Sequence, residues 1–357
     1  GAWPPGRAAL VDGERLSALG VTVLRGTRAL ALDLNGRTVA VGPSAVSRRS
    51  GGGEVAVTER IAFENLVVAT GVAPRRPATV PQAVTVRDLD DVLELRRRFT
   101  EQPRVVVIGA GVLGCELAAG AREAGLEVEL LGRGPRLRLG GLGELLGDRV
   151  ERLLKEHGVV VRHGVEVVTS RPAGNRGGSG VTLTLAGGDV VHAGLVIAAV
   201  GCDPVVGWMH GNGLDLADGV ACDSAGQAAP GVFAVGDVAA WWDPVLGRHT
   251  RVEHQTDAIE KAQAVADLIA SDVRPRPWHS YFWTELFGTR IQALGRFDPD
   301  VPLRMIAGDL ADGRFVAASG PEGAVTGIVG WNMARGFRLA RAELAARLVV
   351  TKGLSRS

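Results

Sequence analysis

Short runs of apolar residues, most of them ending at a glycine, recur along the chain and predict the strands of a buried sheet. Strands buried on both faces read as continuous apolar runs, and this pattern is typical of a parallel sheet that is covered by helices. The intervening segments combine helical spacing with glycine stops, so the pattern predicts an α/β fold. The four clearest runs are Leu66–Gly71, Val105–Ile108, Leu126–Leu131 and Leu195–Gly201.

Two stretches of the chain, Leu16–Gly26 and Leu154–Gly164, resemble each other. Each predicts a helix end, a glycine stop and a short β-branched strand, followed by polar hairpin segments and a closing apolar strand. The second copy is preceded by a strand, a glycine-rich turn and a helix over Arg104–Ala119. The matching unit of the first copy would lie before the chain starts, so we expect that about 50 to 60 residues, one βαβ unit, are absent. Chance similarity of two αβ segments is the alternative.

The turn after the strand Val105–Ile108 carries the G-x-G-x-x-G pattern at Gly109, Gly111 and Gly114. A strand before the pattern and a helix after it make this a specific signal for a dinucleotide. The first glycine permits the tight turn, the second lets the backbone approach a pyrophosphate, and the third allows close packing of helix on strand. The alternative is a glycine-rich turn without a ligand.

The strand Leu126–Leu131 ends without the acidic residue that usually holds the ribose of NAD. Gly132 follows it, and then come Arg133, Arg136 and Arg138. Guanidinium groups in place of a carboxylate suit a 2′-phosphate, so the sequence favours NADPH over NADH. The alternative is a solvated basic loop.

Glu116 lies in the first helical turn after the glycines. One interpretation is a favourable charge at the helix N-terminus; the other is an acid that lines a nicotinamide pocket. The last strand of this segment closes at Gly201, a second candidate for contact with the nucleotide.

Composition and charge exclude several classes of function. The 357 residues predict two or three domains, and the net charge of +1 argues against bulk attraction to nucleic acid or membrane. The three cysteines form no C-x-x-C pair, which argues against a redox dithiol and a zinc site and fits a reducing cytoplasm. We predict no metal, because the histidines also lack ligand spacing.

Together, these motifs and four further segments resemble the ferredoxin reductase family, which comprises FAD-dependent, pyridine-nucleotide-dependent reductases of dioxygenase and cytochrome P450 systems. Ala69, Thr70 and Gly71 look like the closure of the first domain near FAD, and Pro230–Asp237 looks like the second FAD motif. Arg251–Ala258 resembles the segment beside the isoalloxazine, and Tyr281–Gln292 resembles the signature of the C-terminal domain.

The resemblance assigns roles to particular residues. Asp237, preceded by Gly236, would bind the ribityl chain of FAD, while Glu253, His254 and Gln255 would contact the flavin. Gln255 stands where family members commonly carry tryptophan. Trp283 would lie near the flavin or nicotinamide face, and we class it with Glu116 as catalytic.

The resemblance also implies the domain organisation. We expect two interleaved Rossmann-like domains that bind FAD and NAD(P), the first incomplete, and a C-terminal α+β interface domain. The predicted boundaries are 1–100 for the partial FAD domain, 101–205 for the NAD(P) domain, 206–275 for the return to the FAD domain, and 276–357 for the interface domain.

The implied function is transfer of hydride from NADPH or NADH to FAD and then of single electrons to a ferredoxin-like iron–sulfur protein. Arg335, Arg338 and Arg341 recur at three-residue spacing and predict a basic ridge that would steer such a partner, with a solvated helix face as the alternative. A truncated or degenerate, non-catalytic nucleotide-binding protein is the alternative function. The sequence leaves the oligomeric state open.

Overall fold

A computed structural model describes residues 11–44, 57–101, 103–139, 142–173, 180–274, 280–298, 301–320 and 324–351, with the backbone alone for 345–351. The α-helices of this part of the chain are α1 (Gly13–Ala18), α2 (Leu89–Phe99), α3 (Val112–Glu123), α4 (Gly143–Glu156), α5 (Gln255–Ser271) and α6 (Ala334–Thr351). Two short 3₁₀ helices span Gly207–Met209 and Gly236–Val238.

The strands follow in chain order. They are β1 (Thr27–Asp33), β2 (Thr38–Pro43), β3 (Glu59–Ala62), β4 (Leu66–Val68), β5 (Val72–Pro74), β6 (Val105–Ile108), β7 (Val128–Leu131), β8 (Val160–Arg162), β9 (Val167–Pro172), β10 (Val181–Leu185), β11 (Val190–Ala193), β12 (Leu195–Ala198), β13 (Cys202–Pro204), β14 (Val220–Cys222), β15 (Gln227–Ala229), β16 (Val232–Ala234), β17 (Ala239–Asp243), β18 (Arg248–Arg251), β19 (Tyr281–Leu286), β20 (Thr289–Gly295), β21 (Arg304–Asp309), β22 (Arg314–Ser319) and β23 (Gly327–Trp331).

The chain divides into two compact units, each built from two separate stretches. The first unit comprises Gly1–Ala73 and Asp203–Arg276, and the second comprises Pro74–Cys202 and Pro277–Ser357. The four predicted domain boundaries stay a prediction beside this coarser division. The predicted α/β class with an α+β C-terminal part is confirmed, and that C-terminal part is rich in strands.

The centre of the second unit is a parallel sheet in the order β12–β6–β7–β8. β6 pairs in parallel with both β12 and β7, as the continuous apolar runs predicted. Its residues Val105, Val106 and Val107 are fully buried, and α3 packs on the sheet through Ala118 and Ala121. Burying a valine-sized side chain in this way stabilises the fold by about 1.5–3 kcal/mol.

The repeat proposed from the sequence is visible in the element order. One copy runs from α1 through the antiparallel sheet β1–β2–β3 to β4, and the other runs from α4 through β8 and the antiparallel sheet β9–β10–β11 to β12. The helix stops also match, because Gly20 and Gly158 both adopt left-handed backbone, with φ of 71° and 82°. This geometry ends a helix at low steric cost in glycine.

One predicted strand is wrong. Residues 21–24 form no strand, although the matching segment of the other copy forms β8. β8 pairs with β7, whereas Val21, Val23 and Leu24 are about half exposed and pair with no strand among the described residues. β-propensity without a neighbouring strand does not satisfy the backbone hydrogen bonds, so the local pattern alone was insufficient.

The C-terminal part of the second unit is an antiparallel sheet in the order β19–β20–β23–β22–β21, covered by α6. Phe337 and Leu344 of α6 are buried against this sheet. The apolar spacing of this helix also predicts Leu348 as a core position, and Leu348 lies outside the residues whose side chains are described. None of the described helices combines the length and the apolar character that spanning a membrane requires.

In the first unit, β4 and β16 pair in parallel within the sheet β15–β16–β4. A further sheet joins β14 in parallel to β17 and β17 antiparallel to β18. Because carboxyl ends of parallel strands meet at the same edge, the segments that follow β4 and β16 lie side by side.

Candidate nucleotide-binding sites

The glycine-rich turn of the second unit has the backbone that the motif predicted. Gly109 adopts a φ of 115°, and a Cβ there would lie 2.1 Å from the carbonyl oxygen of Ala199. A Cβ on Gly114 would lie 1.8 Å from the carbonyl oxygen of Gly109. Both positions therefore require glycine for packing alone.

Gly111 differs from the other two glycines. A Cβ there would meet nothing closer than the carbonyl oxygen of Arg138, at 3.7 Å. Gly111 is also the N-cap of α3 and provides no side-chain cap. The N-terminus of α3 thus lies beside a turn with room next to Gly111, where a parallel bridge also joins Gly111 to Arg138, and a helix N-terminus in this position fits a dinucleotide pyrophosphate. Gly201, which follows β12, has a φ of 97°, and its carbonyl accepts a hydrogen bond from the backbone N–H of Arg75.

The carboxyl end of β7 has no room for an acidic side chain. A Cβ at Gly132 would lie 2.8 Å from the Cβ of Ala110 in the glycine-rich turn. Glu129, inside β7, is buried and forms ion pairs with Arg104 at 2.9 Å and Arg162 at 3.5 Å. These two arginines compensate the charge of Glu129 within the strand. Its carboxylate therefore forms ion pairs inside the sheet and does not take the place of an acidic residue at the end of β7.

Arg133 and Arg136 are both exposed in the loop after β7. Arg136 forms an ion pair with Glu144 of α4, and the Glu144 carboxylate raises the pKa of the Arg136 guanidinium. Arg138 joins the loop to the glycine-rich turn, since its N–H donates to the carbonyl of Ala110 at 2.8 Å. The loop therefore presents guanidinium groups close to the turn, with Arg136 already paired.

Glu116 projects from α3 toward β19 rather than toward solvent. The hydroxyl of Thr284 donates to its Oε1 at 2.5 Å. Burial raises the pKa of the Glu116 carboxyl, and the hydrogen bond from Thr284 partly opposes this rise. Glu116 is therefore held by a specific hydrogen-bond partner. A favourable charge at the helix N-terminus, one of the two interpretations from the sequence, does not include such a contact.

An apolar cavity of ≈ 10 Å³ lies beside this pair, between α3, α4 and β19. Val112 and Cys115 of α3 line it, together with Phe282 and Thr284 of β19. Burial raises the pKa of the Cys115 thiol to about 12, so this cysteine packs as a neutral group.

In the first unit, the candidate FAD residues lie at one edge. The N–H of Val235 donates to the carbonyl of Val68 at 2.9 Å, which continues the pairing of β4 with β16. This register brings Ala69, Thr70 and Gly71 beside Gly236 and Asp237. Gly71 and Gly236 both have left-handed backbone, with φ of 67° and 70°.

Val205 holds the first of these two segments in place. The Thr70 hydroxyl donates to the Val205 carbonyl at 2.8 Å, and the Gly71 carbonyl accepts from the Val205 N–H at 3.0 Å. The Thr70 hydroxyl is thereby hydrogen-bonded to the backbone. Thr70 would therefore assist cofactor binding by stabilising the shape of the turn.

Arg251 links Glu253 to the turn that carries Asp237, and no role of its own was assigned to it from the sequence. Its guanidinium pairs with Glu253 at 2.5 Å and donates to the backbone carbonyl of Asp237 at 3.2 Å. Arg251 also forms an ion pair with Asp218 at 2.9 Å. Glu253 is therefore a partner of Arg251 next to the turn that carries Asp237.

The N-terminus of α5 lies close to the same turn. His254 is its N-cap, and Gln255 is the first helical residue and is exposed. A Cβ on Gly236 would lie 3.6 Å from the Cβ of Ala258. Burial lowers the pKa of His254, while the carboxylates of Asp257, Asp237 and Glu253 act in the opposite direction.

A buried ion pair supports this helix and was also missed. Asp257 and Lys261 are 2 % and 3 % exposed, and their charged groups are 2.8 Å apart. The Lys261 ammonium also lies 5.4 Å from the ring centroid of Trp241. The spacing of four residues could have suggested the pair, but no pattern in the sequence indicates its burial.

Trp283 is 45 % exposed on β19, with the Arg290 guanidinium 5.4 Å from its ring centroid. Tyr281 lies two residues away on the same face of the strand and carries Arg341 of α6 at 5.8 Å from its ring. An exposed tryptophan thus stands among cations on the surface of the second unit. Among the described residues, no group of three or more His, Cys, Asp or Glu could hold a metal ion.

Known proteins match the chain along most of its length. The family model described as pyridine nucleotide-disulphide oxidoreductase matches residues 8–264. The ferredoxin–NAD(+) reductase component of the anthranilate 1,2-dioxygenase system of Burkholderia cepacia is 32% identical over 294 residues, which cover 80% of this chain and 70% of that protein.

Solved structures agree with these matches. The ferredoxin reductase for the CYP199A2 system of Rhodopseudomonas palustris superposes with a TM-score of 0.84 at 25% identity, covering 96% of this chain and 81% of that one. The covalent putidaredoxin reductase–putidaredoxin complex has the same fold, with a TM-score of 0.85 at 24% identity over 97% of this chain and 81% of that one. The chain belongs to the pyridine nucleotide-disulphide oxidoreductase family, within its group of ferredoxin reductases.

Proposed function

We propose that this protein is an FAD-dependent NAD(P)H:ferredoxin oxidoreductase. When bound, FAD supplies the chemistry, because a flavin accepts hydride from a nicotinamide and releases electrons singly to an iron–sulfur protein. The observation that carries the proposal is that each unit ends a pair of parallel strands in a candidate nucleotide site. In the second unit this site is the glycine-rich turn and α3, and in the first unit it is the two segments after β4 and β16. Relatives named as ferredoxin–NAD(+) reductases support it.

The residues of this chain supply binding and orientation. Gly111 and the first turn of α3 would hold the pyrophosphate of the nicotinamide nucleotide, and Glu116 would line the nicotinamide pocket. Asp237 would accept hydrogen bonds from the ribityl hydroxyls, since a carboxylate is acceptor-only when ionised. Arg251 would keep that turn in place through the Asp237 carbonyl.

The coenzyme preference is a separate part of the proposal. Relatives carry NAD(+) in their names, whereas the loop after β7 in this chain carries Arg133 and lacks a carboxylate at Gly132. We propose that the chain accepts NADH and NADPH, with Arg133 assisting NADPH through its 2′-phosphate. Arg133→Ala should then lower the affinity for NADPH about ten-fold, the value of one charge-assisted hydrogen bond, and leave NADH affinity within about two-fold. An equal loss for both coenzymes would contradict this role.

We propose a ferredoxin-like iron–sulfur protein as the electron acceptor and the cytoplasm as the location. Putidaredoxin is the partner in one structurally similar complex, and Arg341, Arg290 and Trp283 offer cations and an aromatic ring to an acidic surface. The cysteines Cys115, Cys202 and Cys222 are present as thiols and not as disulfides, which fits a reducing compartment.

The test is the absorbance of the purified chain after incubation with FAD and removal of free flavin, followed by anaerobic titration with NADH and with NADPH. A bound flavin spectrum that bleaches on addition of either coenzyme, and then recovers with oxidised putidaredoxin, would support the reductase. Asp237→Asn should weaken FAD retention, while the matched Asp267→Asn on the exposed side of α5 should not. Retained nucleotide binding without bound flavin would instead favour a non-catalytic nucleotide-binding protein.

A further inference from the structure

The contact between Glu116 and Thr284 joins residues 168 positions apart in the sequence, from α3 and β19 of the second unit. We propose that Thr284 is a positioning residue, whose hydroxyl holds the Glu116 carboxylate in one orientation at the nicotinamide end of the α3 site. This inference rests on the proposed function, because it gives Glu116 its place beside the nucleotide.

The surroundings of Thr284 offer its hydroxyl few hydrogen-bond acceptors other than Glu116. The side chain is 5 % exposed, and its neighbours on the cavity side are Phe282, Leu286 and Val112. A hydroxyl in such apolar surroundings costs free energy unless it is hydrogen-bonded. Among the described residues, the Glu116 carboxylate is the acceptor that it reaches.

Several charged groups on the elements packed against α3 pair with other residues or lie on an exposed face. Glu129 of β7 pairs with Arg104, and Glu285 lies on the exposed face of β19, opposite to Thr284. β6 consists of apolar residues, and Arg149 of α4 stacks on aromatic rings of the C-terminal sheet. Cys115, beside Glu116, stays neutral. The ionisation of Glu116 therefore depends on burial and on Thr284, which act in opposite directions.

Two substitutions separate the hydroxyl from the volume of the side chain. Thr284→Val keeps the β-branched shape and removes the donor, so burial alone acts on the carboxyl and its titration moves to higher pH. Thr284→Ser keeps the donor and should titrate like the wild type. Thr284→Val should also weaken NADH binding about ten-fold at neutral pH, because the Glu116 side chain is no longer held in the orientation that suits the nicotinamide.

The experiment follows the side-chain carboxyl carbon of Glu116 by NMR in glutamate-labelled protein, with Glu116→Gln identifying the signal. The Kd for NADH is measured on the same samples, and far-UV circular dichroism checks their fold. A titration that is identical in Thr284→Val and wild type would overturn the inference. A shifted titration with unchanged NADH affinity would overturn the positioning role. Absence of NADH binding in the wild type, with the titration still shifted, would overturn the proposed function and leave the Thr284–Glu116 coupling supported.

Discussion

Gly111 and Gly114 of the glycine-rich motif differ in what an added methyl group would contact. Substitutions at the two positions can therefore distinguish an effect on stability from an effect on nucleotide binding. A Cβ at Gly114 would overlap the carbonyl oxygen of Gly109, whereas a Cβ at Gly111 would make only ordinary contact. Gly114→Ala should therefore destabilise the protein by about 1–3 kcal/mol, the usual cost of overpacking. Gly111→Ala should keep the melting temperature within a few degrees and yet weaken nucleotide binding at least about ten-fold.

Thermal unfolding and calorimetric titration with NADH or NADPH would test this pair. Equal losses of stability in both variants would contradict the assignment of Gly111 to the pyrophosphate. So would a Gly111→Ala variant that binds the nucleotide as tightly as the wild type.

Glu116 gives the stability of the second unit a dependence on pH. Because its folded-state pKa is raised by burial, the folded protein binds this proton more tightly than the unfolded chain does. Stability contributed by the protonated form is present below the unfolded pKa and is lost as pH rises through the folded pKa. Glu116→Gln is neutral at every pH and can still accept from Thr284.

Glu116→Gln should consequently unfold at a higher temperature than the wild type at about pH 8, and the difference should shrink toward about pH 4, where the wild-type carboxyl is protonated. Glu285→Gln, an exposed change on β19 next to Thr284, provides the control. Differential scanning calorimetry across this range would measure both differences. A melting-temperature difference that grows as pH falls would show that the sign is wrong.

At the scale of elements, the turns and helix ends that depend on local sequence patterns could be predicted from the sequence. The turn at Gly109–Gly114 and the glycine stops at Gly20 and Gly158 follow from backbone geometry that few other residues tolerate. Residues 21–24 were mispredicted because a strand also needs a neighbour to pair with. Thr284 and Arg251 escaped notice because each acquires its role from a residue on another element, and no spacing in the sequence encodes that contact.

Arg149 joins α4 to the C-terminal sheet of the second unit. Its guanidinium lies 5.5 Å from the Phe315 ring centroid and 5.2 Å from that of Trp331, and it donates to the Leu310 carbonyl at 2.7 Å. Cation–π contacts contribute about 0.5–2 kcal/mol, and a hydrogen bond from a charged donor contributes about 1.5–3 kcal/mol.

Arg149→Ala should therefore lower the free energy of unfolding by about 2–4 kcal/mol. Arg152→Ala, at an exposed position of the same helix, should change it by less than about 0.5 kcal/mol. Urea unfolding monitored by tryptophan fluorescence measures both, since Trp331 is part of the contact. If the two variants proved equally stable, Arg149 would not be what joins α4 to the sheet.

For the whole molecule, a net charge of +1 supplies almost no long-range attraction to an acidic partner, so any steering has to come from a local patch. Arg335, Arg338 and Arg341 are exposed on α6, whereas Phe337 on the same helix is buried. With putidaredoxin as a probe for the proposed iron–sulfur partner, Arg338→Glu should lower the association rate about ten-fold at low salt, and the difference should vanish at about 0.5 M salt, where exposed charges are screened.

Arg171→Glu makes the same change of net charge at an exposed position of β9 and serves as the control. Stopped-flow reduction of putidaredoxin at several ionic strengths would compare the two variants. A larger effect of Arg338→Glu than of Arg171→Glu would locate the docking surface at α6, because the total charge is identical in the two proteins. Equal effects would mean that the partner responds to net charge alone, and the basic ridge would then be an ordinary solvated helix face.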